Sequence, residues 1–85
     1  MKTNYVYMVE CGDHTLYTGW TTDLVHRLKV HNDGRGAKYT KARRPVKLVY
    51  FEELPDKSQA LKREYAIKQM TRKQKEALIE LAKTK

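Results

Sequence analysis

NYVYMVECGDHTLYTGWT, residues Asn4–Thr21, is the stretch that decides the fold. In its first part Tyr5, Tyr7 and Val9 alternate with Val6, Met8 and Glu10, and both sets are largely apolar. A strand covered on both faces has this composition. Gly12, Asp13 and His14 follow as a turn, with glycine and aspartate supplying the local chemistry. TLYTGWT then reads as a second strand. Two strands joined this tightly pair antiparallel, because a parallel pair needs a crossover of about a dozen residues or more. A doubly wound α/β fold is excluded.

Working outward, Gly19 reads as the point where the chain turns from strand to helix. Thr22 or Asp23 caps the helix that follows, and Gly34 after Asn32 and Asp33 ends it. Leu24, Leu28 and His31 recur at spacings of four and three, with Val25 beside them, giving one stripe that faces a sheet. GRGAKYTKARRPVK, residues 34–47, has glycines, a proline and no apolar period, so it reads as a loop. KLVYFEEL is the third strand and ends at Pro55. A second helix runs from Ser58, which looks like its cap, through QALKREYAIKQM. Thr71 caps a third, with Gln74 placed for a capping box and Ala77, Leu78, Leu81 and Ala82 on one face. The order β-β-α-β-α-α describes one α+β domain over residues 1–85, a three-stranded antiparallel sheet flanked by helices.

Eighteen Lys and Arg against ten Asp and Glu leave a net charge of +8. For so small a chain this favours an anionic partner, with nucleic acid first and an anionic membrane surface second. The membrane reading fails because no helix joins a basic face to exposed large apolar residues. Cys11 is the single cysteine, which excludes an intrachain disulfide, and it reads as a small buried hydrophobe. The N-terminus has no charged-then-apolar signal pattern and no apolar run spans a bilayer, so a cytoplasmic protein is expected.

The candidate chemistry lies in four places. Between Gly34 and Phe51 there is no acid before Glu52, and the bases are Arg35, Lys38, Lys41, Arg43, Arg44 and Lys47, with Tyr39 and Tyr50 among them. Positive charge beside aromatics suits a phosphate backbone with base or sugar contacts. If every one of those bases neutralised a phosphate of duplex DNA, the log–log salt slope would be about −5. Arg27 and His31 stand one helical turn apart. The arginine offers a planar fork of donors to a phosphate, and the histidine can relay a proton near neutral pH. Tyr7 and Tyr17 stand on the paired strands. Either can orient or deprotonate a water if a neighbouring cation such as Arg27 lowers its pKa. Glu64 lies near the apolar stripe of the second helix, where one carboxylate with waters and substrate phosphates can hold Mg²⁺. Zinc sites and phosphate-binding glycine loops are absent from the sequence.

Together these positions resemble one family. Tyr5–Tyr7 (YVY), Tyr17–Gly19 (YTG), an Arg and a His on the next helix and a Glu on a later one look like the GIY-YIG nuclease domain. The resemblance runs from about Asn4 to Leu81 and is strongest to the small stand-alone bacterial proteins of that family. It implies an antiparallel sheet flanked by helices. Tyr7 and Tyr17 would be the motif tyrosines, Arg27 the catalytic arginine, His31 a position often filled by His or Tyr, and Glu64 the ligand of one Mg²⁺ or Mn²⁺ ion. The implied reaction is endonuclease hydrolysis of a phosphodiester, with DNA favoured over RNA. A protein partner that supplies the target is a further expectation, since many family nucleases carry such a domain. Three positions depart from the pattern: Tyr5 stands for Gly, Thr18 for Ile, and Trp20 where some relatives carry a lysine. The alternative is a basic nucleic-acid-binding module with weak cleavage or none.

Overall fold

The computed structural model describes residues 3–83. Strand β1 (Asn4–Glu10) is central, with β2 (Leu16–Thr21) on one side and β3 (Lys47–Leu54) on the other, both antiparallel to it. Around the sheet lie α1 (Leu24–Asn32), α2 (Lys38–Lys41), α3 (Lys57–Lys68) and α4 (Arg72–Lys83). The order expected from the sequence is present, with the one-turn α2 added inside the expected loop. A four-residue helix is too short to show a period, and α2 has no side-chain cap. It is held by contacts with α1 instead.

The central strand packs on both faces. Val6 and Met8 join Ala60, Ile67 and Ile79 in one core, with Leu16, Trp20, Val49, Leu54 and Leu78 against it. Tyr7, Val9 and Cys11 point the other way and form a second core with Val46, Leu24 and Leu28. A register shift between Met8 and Val9 interrupts the β1–β3 ladder. It allows Val49 and Tyr50, adjacent in sequence, both to pack against the first core.

Local capping explains most helix boundaries. Asp23 accepts from the His26 amide at 3.0 Å and starts α1. Thr71 and Gln74 form the expected capping box, at 2.9 and 3.2 Å. Three local expectations are corrected. Asp56, not Ser58, caps α3 by accepting from the Gln59 amide at 2.8 Å. Val25 is 83% exposed, so it stands outside the α1 stripe. Helix α4 buries Ile79 and leaves Ala77, Leu81 and Ala82 exposed. A helix that docks on a single edge strand needs only a narrow line of contact, and Ile79 with Leu78 provides it.

A polar clamp ties α3 to β3. Arg63 grips the Glu52 carboxylate with bonds of 2.8–3.0 Å, and the Tyr50 hydroxyl donates to the same group. Burial, then the hydrogen bond to Glu52 and its charge, pushes the Tyr50 phenol up to about 12. Tyr50 is therefore a structural phenol here.

Candidate functional site

The site begins with a register. Tyr7 lies opposite Gly19, and Val9 opposite Tyr17. Tyr7 and Tyr17 are thus diagonal neighbours on one sheet face. A Cβ on Gly19 would sit 2.5 Å from the Tyr7 hydroxyl oxygen. Gly19 lies inside β2, so the glycine clears space for a tyrosine; the turn expected there is a strand.

Helix α1 lies over that face and sets Arg27 and His31 one turn apart. His31 is fully buried. Its Nε2 is 2.8 Å from Tyr7 Oη and its Nδ1 is 2.8 Å from Thr40 Oγ1 on α2. Arg27 Nε donates to Tyr7 Oη at 3.4 Å. The rings of Tyr7 and Tyr17 both meet His31 edge-on, with centroids 5.9 and 5.5 Å away. Four residues singled out in the sequence therefore share one cluster. Burial, reinforced by the Arg27 charge, pushes the His31 pKa down, so the ring stays neutral. Burial also pushes the Tyr7 phenol up. Arg27 opposes that shift as expected, but it is outweighed, and the charges of Tyr17 and Glu64 act upward.

Glu64 extends from the sheet-facing side of α3, between the buried Ala60 and Ile67, with its side chain 18% exposed. Its charge reaches Tyr7, but its contact is with Lys68, whose Nζ is 3.1 Å away. Among the described residues no three His, Cys, Asp or Glu groups gather to hold a metal ion. The chain offers a divalent ion one carboxylate, which suits an ion whose other ligands are waters and substrate phosphate.

The basic segment divides. Tyr39 stacks on Tyr17 at 5.8 Å with 25° between the rings, and the Arg43 guanidinium lies over the Tyr39 ring, 4.0 Å from its centroid. Lys68 Nζ lies 5.9 Å from the centroid of the Tyr17 ring. Tyr39 is therefore already engaged by both Tyr17 and Arg43. Arg43 also pairs with Asp13 at 3.0 Å, Arg44 donates to the Lys41 carbonyl at 2.9 Å, and Arg35 pairs with Asp33 at 3.0 Å. Lys38 and Lys41 are exposed on α2, beside the cluster. Lys47 stands apart, opposite Glu10 at the start of β3. A separate depression of about 400 Å³, lined by Leu16, Val49, Ile79 and charged residues of α4, shares no residue with the cluster.

Sequence reading missed Thr40 and Lys68. Lys68 was open to discovery as the i+4 partner of Glu64. Thr40 carried no signal, because a lone threonine among bases has no period and no motif.

Residues 3–77 match the family model described as the GIY-YIG catalytic domain. The chain is similar to the UPF0213 protein CPE1444 of Clostridium perfringens, at 59% identity over 76 residues, 89% of this chain and 82% of that protein. Two solution NMR structures resemble it. The UPF0213 protein BH0048 from Bacillus halodurans is 46% identical with a TM-score of 0.61, over 93% of this chain and 84% of that one. The protein EF2693 from E. faecalis is 39% identical with a TM-score of 0.67, over 100% of this chain and 91% of that one.

Proposed function

The chain belongs to the GIY-YIG catalytic domain family, and from that premise we propose that it is a divalent-metal-dependent endonuclease, acting on DNA in preference to RNA. The observation that carries this reading is the direct contact of Tyr7, His31 and Arg27, with Tyr17 against the same imidazole. A folded core has no need of an arginine, a histidine and two tyrosines converging on one sheet face.

In this reading a phosphodiester lies over the Tyr7–Tyr17 face. Arg27 directs its guanidinium fork at the phosphoryl oxygens and stabilises the charge that grows on them. Tyr17, Tyr7 and His31 orient a water in line with the scissile bond and take its proton. Glu64 would hold the Mg²⁺ or Mn²⁺ ion, which when bound supplies positive charge for the leaving 3′ oxygen. Lys38 and Lys41 make the first backbone contacts, with Arg35 joining by exchanging an exposed ion pair that is worth little. Arg43 and Arg44 contribute while keeping their internal bonds, and Lys47 steers from a distance. No helix of the described residues is long and apolar enough to cross a membrane.

A second reading draws on one observation. Lys68 occupies the Glu64 carboxylate, which would weaken metal binding and suit a basic module that grips nucleic acid and cleaves poorly. One panel separates the two. Supercoiled, linear, single-stranded and branched DNA, and RNA, are incubated with Mg²⁺, Mn²⁺ or chelator, beside Arg27→Ala and Glu64→Ala. The nuclease reading expects metal-dependent cleavage that each substitution slows by about 10²-fold or more. Cleavage at the wild-type rate in both would rule out this site, and salt-sensitive binding without cleavage in any metal would establish the module.

A further inference from the structure

His31, neutral in the fold, carries one ring proton, on Nδ1 or on Nε2. Its two immediate partners do not decide between them, because Tyr7 and Thr40 are hydroxyls that can give or accept. The groups one step further out have no such freedom. Arg27 Nε has a proton and no lone pair, so it donates to Tyr7 Oη. The Ala37 carbonyl has lone pairs and no proton, so Thr40 Oγ1, 2.9 Å away, donates to it.

A chain with a fixed donor at one end and a fixed acceptor at the other has one arrangement in which every proton finds an acceptor. Arg27 Nε–H goes to Tyr7 Oη, Tyr7 O–H to His31 Nε2, His31 Nδ1–H to Thr40 Oγ1, and Thr40 O–H to the Ala37 carbonyl. In the reverse arrangement Nε2–H and Arg27 both donate to Tyr7. The proton of a phenol that is 2% exposed would then lack an acceptor among the described hydrogen bonds. The backbone is shaped to this contact. Thr40 is fully buried, and a Cβ at Gly36 would overlap Nδ1 of His31. The loop therefore passes the ring so closely that glycine is required at position 36.

We propose that Thr40 is the positioning residue of this site: fixed by the Ala37 carbonyl, its hydroxyl holds His31 as the Nδ1–H tautomer and keeps Nε2 bare toward Tyr7. The catalytic consequence rests on the nuclease reading, whereas the tautomer does not. With Nε2 bare, the water's O–H bond breaks toward Tyr7 as Tyr7 passes its own proton to Nε2. Tyr7 ends neutral and His31 ends as imidazolium. The hydroxide so formed makes the new P–O bond while the bond to the 3′ oxygen breaks, and the 3′ oxygen takes a proton from solvent. Thr40 touches no reacting atom.

The test reads the ring directly. Long-range proton–nitrogen NMR spectra of the isotope-labelled full chain, taken above the pH at which histidine titrates, report which nitrogen of His31 carries the proton. The expected result is a protonated Nδ1 and a bare Nε2 in the wild type and in Thr40→Ser, which keeps the hydroxyl and cleavage. Thr40→Val removes the acceptor, so the Nδ1–H signature disappears, and kcat falls about 10²-fold with KM unchanged. A wild-type ring protonated on Nε2 overturns the proposal without recourse to any variant, and so does an unchanged tautomer in folded Thr40→Val. A protonated Nδ1 that is lost in Thr40→Val, in a chain that cleaves nothing, supports Thr40's hold on the ring and overturns the nuclease reading.

Discussion

The two faces of the sheet are filled by different chemistry. Toward α3 and α4 the centre is Val6, Met8, Ala60, Ile67 and Ile79, side chains that need only to be out of water. Toward α1 and α2 the equivalent depth holds Tyr7, His31 and Thr40, which are as buried but must also be hydrogen-bonded. The first face is tolerant, since any apolar set of the right volume fills it. The second is specific, because each polar atom depends on particular neighbours in one arrangement. A small domain thus keeps most of its aliphatic core on one side of the sheet and the Tyr7–His31–Arg27 cluster on the other, with β1 contributing to both and α3 bringing Glu64 from the aliphatic side.

Substitutions on the two faces should therefore fail in different ways. Arg27→Ala is expected to lower kcat about 10²–10³-fold, the scale for loss of one donor aimed at developing charge. Its melting temperature should stay close to wild type. Ile67→Ala is expected to do the reverse, costing about 2–5 kcal/mol of stability for a buried aliphatic truncation while the folded fraction still cleaves. Denaturant unfolding beside a cleavage assay checks both, and an Arg27→Ala protein that melts as low as Ile67→Ala would erase the distinction.

Acid should find the polar face first. The folded His31 pKa lies below the ordinary value, so between the two the unfolded chain takes up a proton that the folded chain refuses. Stability then falls as the pH drops below about 6.5, by at most about 1.4 kcal/mol per pH unit, and this loss ends once the folded ring itself protonates. Glu52, whose pKa Arg63 and Tyr50 hold down against its burial, adds a loss only at lower pH, where carboxylates titrate. Thermal melts from pH 7.5 to 5 should show the first decline, and His31→Gln should flatten it. A wild-type profile that is level until the carboxylate range would contradict a buried neutral imidazole.

The smallest effect is a gain. Thr18 shares a sheet face with Leu16 and Trp20 by the two-residue alternation of β2, so it is a polar intruder on the aliphatic side. It is 2% exposed, and its hydroxyl has no partner among the described residues. Thr18→Val keeps the shape and removes the orphan, and it should raise stability by about 1 kcal/mol, read as an increased unfolding midpoint. A lower midpoint would mean that the hydroxyl is satisfied after all.

The same contrast explains what the sequence disclosed. Apolar strands, a tight turn and a capping box are local signals, so the element order was legible from Asn4 to Lys83 apart from the one-turn α2. The meeting of Tyr7, Tyr17, Arg27 and His31 was legible because the motifs fix strand register and helical spacing. Gly19 was read as a turn because sequence shows a glycine's freedom but not the tyrosine ring that needs the space. The exposed face of α4 was misread because alanine and leucine suit either side of a helix that docks along one line. Thr40 was invisible, since its role exists only where α2 meets His31. The direction of the Tyr7 shift needed the depth of burial, which no charge count supplies.

The relay also has a bearing on chain entropy. Tyr7 and His31 are 24 residues apart and His31 and Thr40 only nine, whereas the β1–β3 ladder reaches from Asn4 to Leu54. Closing a loop costs more as it lengthens, by about 0.6 kcal/mol for each doubling. The β1–β2 hairpin, paired from Tyr5–Thr21 to Glu10–Leu16, closes much of that distance through local pairing. The most exacting hydrogen-bonded chain in the molecule thus lies within one continuous stretch, residues 7–40. Glu64, whose charge reaches Tyr7, comes from a far greater separation in the chain, and its placement depends on α3 docking against the sheet.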